Sequence, residues 1–175
     1  MTMASAVLAL AQASSLPTFA EALDHTLVIA ERRLVPAAEA MPEDQYGFAP
    51  SQGEFRSVRT FLEQVKHMAA VNYLILSTVC GERPPDHVNE GRGPDRVRTK
   101  AEAVQYLKDS YAFAHAAVAG LPSEGLLTPI ENPGGGPPAS RLSLVNLVSV
   151  HAMDHYGQMV VYLRMNGIIP PASRR

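Results

Sequence analysis

The chain has 175 residues, enough for one domain with a sizeable core, and 46% of them are hydrophobic, an ordinary share for a globular protein. Its net charge of −2 offers no basic footprint for nucleic acid, and only the terminal Arg174-Arg175 pair is locally basic. A single cysteine, Cys80, excludes an internal disulfide framework and suits a reducing compartment.

The chain begins with an apolar stretch, Met1 to Ala13, whose Ala11-Gln-Ala13 is similar to the small-residue cleavage site of a signal peptide. A positively charged region before it is missing. Residues 1–15 therefore read as a retained helical turn or N-terminal arm of a cytoplasmic protein, with export as the alternative.

A first helix is expected from about Pro17 to Ala40, with Leu16, Phe19, Leu23, Leu27, Ala30 and Leu34 as its inner stripe and His25 on the opposite side. The segment from Met41 to Pro50 breaks that pattern. Ser57 is the expected cap of a second helix reaching Cys80, which Gly81 and Pro84-Pro85 stop. Cys80 is read there as a buried, inert thiol. The polar loop that follows carries His87, which has no spaced partner and reads as solvated. Thr99-Lys-Ala-Glu102 is a capping box that opens a third helix, to about Gly120, with Val104, Leu107, Tyr111, Ala114, Val118 and Leu121 inward. The glycine run in Asn132 to Pro138 lacks the Lys-Ser/Thr of a phosphate loop and reads as a connection. Ser140 is the expected cap of a fourth helix ending near Asn166-Gly167.

No strand and no repeat are expected. Four helices of similar length in one domain over residues 1–175 predict an all-α four-helix bundle. Its loops, near 41–56, 81–98 and 122–139, are longer than the roughly 2–8 residues usual in bundles and suit a lidded pocket.

The fourth helix carries the chemistry. His151 and His155 are four residues apart, and a helix turns about every 3.6 residues, so both imidazoles leave nearly one face. They share it with Leu144, Val148, Met159 and Tyr162. Two polar rings on a buried stripe need partners, and a metal ion would satisfy both at once. No glutamate lies inside the pair, so metalloprotease chemistry is not expected. Asn146, Asp154 and Gln158 interrupt the helix too often for a membrane span. A third ligand must come from elsewhere. Periodicity sets His67 almost opposite Val58, Leu62 and Val65, but the second helix is apolar nearly all round from Met68 to Leu76, so its inward face stays open at this point.

Met41 to Pro50 followed by Arg56 to His67, together with His151-Ala-Met-Asp-His155-Tyr-Gly-Gln158 and the tail from Tyr162 to Pro171, resemble the DinB/YfiT-like family across nearly the whole chain. The resemblance implies a four-helix bundle, often dimeric, that holds a divalent metal through one histidine of helix two and two of helix four. Matched residue by residue, these are His67, His151 and His155. The family often has a histidine where this chain has Asp154, which alters the surroundings of the ligands. Zinc and nickel suit three nitrogen ligands with open positions, where bound water or thiol is activated. Similar proteins include thiol-dependent transferases and isomerases. The implied function is metal-assisted attack of a low-molecular-weight thiol on an electrophilic small molecule. The alternative is a non-catalytic, stress-associated homodimer that binds a metal or ligand. Four further side chains have two readings each. Gln158 either orients a bound molecule or bonds to core backbone, and Glu63 is either an acceptor behind His67 or a solvated carboxylate. His115 is either a base or a satisfied core or surface histidine. Arg164 is read as a partner of terminal carbonyls.

Overall fold

The computed structural model describes residues 17–174, so the expected N-terminal arm and Leu16 lie outside the described residues. Four helices dominate: α1 Phe19–Ala40, α2 Phe61–Cys80, α3 Lys100–Ala119 and α4 Arg141–Met165. The first three open with the same device. Thr18, Thr60 and Thr99 each accept a bond from the backbone three residues on, and Glu21, Glu63 and Glu102 each reach back to the capping residue's own backbone. The expected cap of α2 moves accordingly from Ser57 to Thr60. Ser57 lies in a preceding turn at φ 65, a left-handed conformation in which it cannot cap. Glu63 is thus an exposed capping carboxylate bonded to Thr60. At the other end of α2, Gly81 takes φ 76 and its N–H bonds back to Ser77 and Thr78.

Tyr46 O–H donates to Ala38 O, Leu62 N–H donates to Tyr46 O, and Lys100 Nζ donates to Glu39 O. Tyr162 O–H reaches Arg59 O. The end of α1, the starts of α2 and α3 and the end of α4 therefore gather at one end of the bundle. At the opposite end, Arg141 Nε donates to Val79 O, joining the start of α4 to the end of α2. The direction is up-down-down-up: α2 and α3 run parallel, and each of α1 and α4 packs on the other and on one of that pair. The connections α1–α2 and α3–α4 cross diagonals, and α2–α3 must return the length of the bundle. Long loops follow from that connectivity.

Two apolar clusters fill the interior. One joins Leu23, Leu27, Ile75, Leu76, Val118 and Leu144, and the other joins Leu34, Phe61, Met68, Leu107, Tyr111 and Met159. His67 comes one residue before Met68 of one cluster and four before Val71 of the other, and His151 falls between Val148 and Ala152. The inward stripe expected of α4 is buried at Leu144, Val148, His155, Met159 and Tyr162.

Three further expectations change. Pro129–Ile130 and Ala139–Ser140 pair antiparallel, a two-residue ladder that closes the glycine-bearing loop where no strand was expected. Cys80 is exposed, not buried, because it is the last residue of α2 and points past the packed turn. Phe19 of the expected inner stripe is likewise 58% exposed, in the first turn of α1.

Candidate metal centre

His67 projects from the second turn of α2, and His151 and His155 from successive turns of α4, and the three meet at one point. His151 Nε2 lies 3.1 Å from His67 Nε2 and 3.1 Å from His155 Nε2. One nitrogen from each ring lies within 4.8 Å of those of the other two. Around a metal with bonds of about 2.05 Å, a tetrahedral edge is about 3.3 Å and a facial octahedral edge about 2.9 Å, so the observed separations lie between the two.

The far side of each ring decides which nitrogen is bare. His67 Nδ1 is 2.6 Å from Gly91 O, and His155 Nδ1 is 2.5 Å from Gln64 Oε1. Both partners are carbonyl oxygens, which only accept, so Nδ1 carries the proton and Nε2 is left as a lone pair. His151 Nε2 can donate to one of these lone pairs at most, which leaves the other without a proton. Its own Nδ1 is buried with no partner. A divalent cation answers all three lone pairs together, and the donor set fits one.

Electrostatics keep the rings in that form. Burial, and then the positive field of Arg59 and neighbouring imidazoles, pull His67 down to about 4 despite its bond to Gly91, and His155 down to about 3. His151 is also lowered by burial, against the opposing charge of Asp154. The imidazoles are therefore neutral near pH 7, the form a metal ion requires.

Gln64 is 2% exposed and belongs to a chain of bonds behind His155. Its Nε2 donates to Gln158 Oε1 at 2.8 Å, and Gln158 Nε2 donates to Asp154 Oδ2 at 3.1 Å. The chain fixes the Gln64 amide with its oxygen toward His155. Gln158 thus bonds to side chains, not to core backbone as one of its readings had it. Gly91 belongs to the segment returning from α2 to α3. Asn89, Glu90 and Gly91 take φ of 48, 53 and 84 in succession, a left-handed run that turns the Gly91 carbonyl onto His67.

The other singled-out residues lie elsewhere. His115 on α3 is held between Asp24 (2.5 Å) and Glu31 (3.3 Å) of α1 and is a satisfied histidine. His87 is half-buried, not solvated: its Nδ1 meets Tyr106 O–H at 3.1 Å and its ring lies edge-on to Tyr73. Arg164 reaches Ser173 Oγ at 3.5 Å, while Asn166 Nδ2 takes the Tyr162 carbonyl expected of it. Sequence reasoning missed Gln64, Gly91 and Arg59. A glutamine inside the apolar run of α2, one turn before His67, is the signal that pointed to Gln64; Gly91 and Arg59 carried none.

A family model described as the DinB superfamily matches residues 26–159. No curated protein matches. Among solved structures, a DinB-like protein of Bacillus subtilis superposes with a TM-score of 0.68 at 17% identity, covering 88% of this chain and 99% of its own. A conserved protein of Enterococcus faecalis does so with a TM-score of 0.68 at 19% identity, covering 86% and 98%. At these identities the likeness is one of fold.

Proposed function

The chain belongs to the DinB superfamily, and on that footing we propose that it is a divalent-metal-dependent thiol transferase acting on an electrophilic small molecule. His67, His151 and His155 are the ligands in this reading, and zinc or nickel is the ion. The observation that carries it is the convergence of three Nε2 atoms that share at most one proton among them. When bound, such an ion supplies open positions at which the pKa of water or a thiol falls toward neutrality.

The protein's own residues do the rest. Gly91 O and Gln64 Oε1 hold the Nδ1 protons and so aim the Nε2 lone pairs. Gln158 and Asp154 hold Gln64 in turn. The positive charge of Arg59 favours an anionic reactant beside the rings. The same reading takes residues 1–175 as one cytoplasmic domain and has the protein work as a homodimer.

Elemental analysis by plasma mass spectrometry, with the triple His67/His151/His155→Ala variant beside the wild type, tests the site. About one zinc or nickel per wild-type chain, absent from the variant, is expected; no metal in the wild type after reconstitution overturns it. A second reading, a non-catalytic dimer that binds metal or ligand, draws on the outer face of α4. Val150, Val161 and Met165 are 66%, 48% and 49% exposed there. An exchangeable water on the loaded ion, seen by proton relaxation of a cobalt or nickel form, favours the transferase; a closed coordination sphere favours the binding protein.

A further inference from the structure

A cleft with a volume of about 840 Å³ is lined among others by Arg59, Glu63, Lys66, Asn89, Arg92 and Gly93, residues that precede His67 and flank Gly91 in the chain. Glu63 lies one turn before His67 on the same helix face, and Asn89, Arg92 and Gly93 flank Gly91 on the returning segment. The cleft is thus built from the two segments that set His67 in place.

Its charged groups are not equivalent. Glu63 is held by the cap at Thr60, accepting at 2.7 Å and 2.9 Å, and Arg92 is drawn to Glu90 and to Asn89 Oδ1. Arg59 and Lys66 form no ion pair among the described residues. Lys66 is half-buried, and its backbone is pressed by Gly93, where an added Cβ would stand 3.1 Å from Lys66 O. The Arg59 backbone is pinned by Tyr162 O–H at 2.9 Å. Two cationic side chains on held backbone, the exposed Arg59 and the half-buried Lys66, therefore line the cleft without an ion-pair partner among the described residues.

We propose that this cleft is an anion subsite in which Arg59 and Lys66 hold a carboxylate of the small molecule presented to His67, His151 and His155. It rests on the proposed small-molecule chemistry only for what the other end of that molecule does. The planar guanidinium of Arg59 suits two parallel bonds to a carboxylate, and Lys66 adds a second point charge. Glu63 and Asp95 also line the cleft, so three cationic and two acidic side chains leave one net positive charge. That balance favours a singly charged carboxylate over a dianionic phosphate.

Calorimetric titration of butyrate, a monocarboxylate, into the full-length, chelator-treated protein reads the subsite without a metal, so loss of metal and loss of the subsite are read separately. Wild type is expected to bind butyrate, and Arg59→Gln with Lys66→Gln to weaken binding at least tenfold while the thermal midpoint stays within a few degrees. Arg59→Lys should recover part of the loss, and Arg92→Gln should change affinity less than twofold. No butyrate binding by wild type, undiminished binding by the double variant, an equal loss in Arg92→Gln, or tighter binding of inorganic phosphate overturns the proposal.

Discussion

Among the described residues, His151 has no side-chain partner other than the two neighbouring imidazoles: its Nε2 faces their nitrogens and its Nδ1 is buried without a partner. His151→Ala is expected to lower metal affinity more than tenfold and to leave far-UV helicity intact; unchanged metal content would remove it from the ligand set. Gln64→Leu tests the bond chain from the other side. The leucine leaves the His155 Nδ1–H buried with no acceptor, at a cost of roughly 1–3 kcal/mol. Metal affinity should also fall about tenfold, since that bond aims the ring. A chelator competition assay and a urea midpoint measure the two effects. At this scale the histidine pair was legible, because helical spacing puts residues four apart on one face. Gln64 was not, because its role exists only once α4 brings Gln158 and His155 against α2.

Between elements, two contacts offer direct tests. Glu90 sits at φ 53, a left-handed conformation that costs a residue with a Cβ about 1–2 kcal/mol. Glu90→Gly should therefore raise the unfolding free energy by roughly 1 kcal/mol, less the entropy glycine gains when unfolded, and raise the denaturation midpoint with it. A lowered midpoint would mean that the turn is held by the Glu90–Arg92 pair instead. The clamp of His115 by Asp24 and Glu31 joins α3 to α1. Burial pulls the His115 pKa down, but the bonds and charges of the two carboxylates outweigh it and hold it above 6.5. A raised folded-state pKa means that the stabilisation is complete below 6.5 and is lost as pH rises through the folded value. His115→Gln should cost roughly 0.5–1 kcal/mol near pH 6 and clearly less near pH 9, the pair being partly solvated. An equal loss at both would show that packing, not charge, holds the pair. The helix starts were only partly legible. Thr99-x-x-Glu102 was read as a cap, while Thr60-x-x-Glu63 carried the same signal and was passed over for Ser57, whose φ no sequence displays.

The outer face of α4 bears on the whole molecule. Leu147, Val150, Val161 and Met165 leave an apolar strip around Asp154, and Gly157 within it has nothing within 4 Å of where a Cβ would stand. Light scattering is expected to give about twice the 18.9 kDa chain mass, and Val150→Glu with Val161→Glu to halve it; a clean wild-type monomer at micromolar concentration would contradict this. The four helices were legible from apolar periodicity and turn residues, and their loops from composition. The direction of α3 was not. Periodicity reports which face is buried and is blind to whether a neighbour runs up or down. Only the length of the segment between Cys80 and Thr99 hinted at a return.

That return has a kinetic consequence. Neighbouring helices that run the same way cannot zip together from a tight turn, so α2 meets α3 only after the intervening segment has been drawn back along the bundle. His67 then gains Gly91, 24 residues away, and His151, 84 residues away. Contacts so distant in sequence raise contact order and slow folding relative to a bundle of hairpins. In the proposed metal-binding reading, an ion would meet ring nitrogens that are brought together only by the tertiary fold. It would then act as a ligand that holds the native state, worth about 4 kcal/mol at a thousand times its dissociation constant, and not as a template on which the chain assembles.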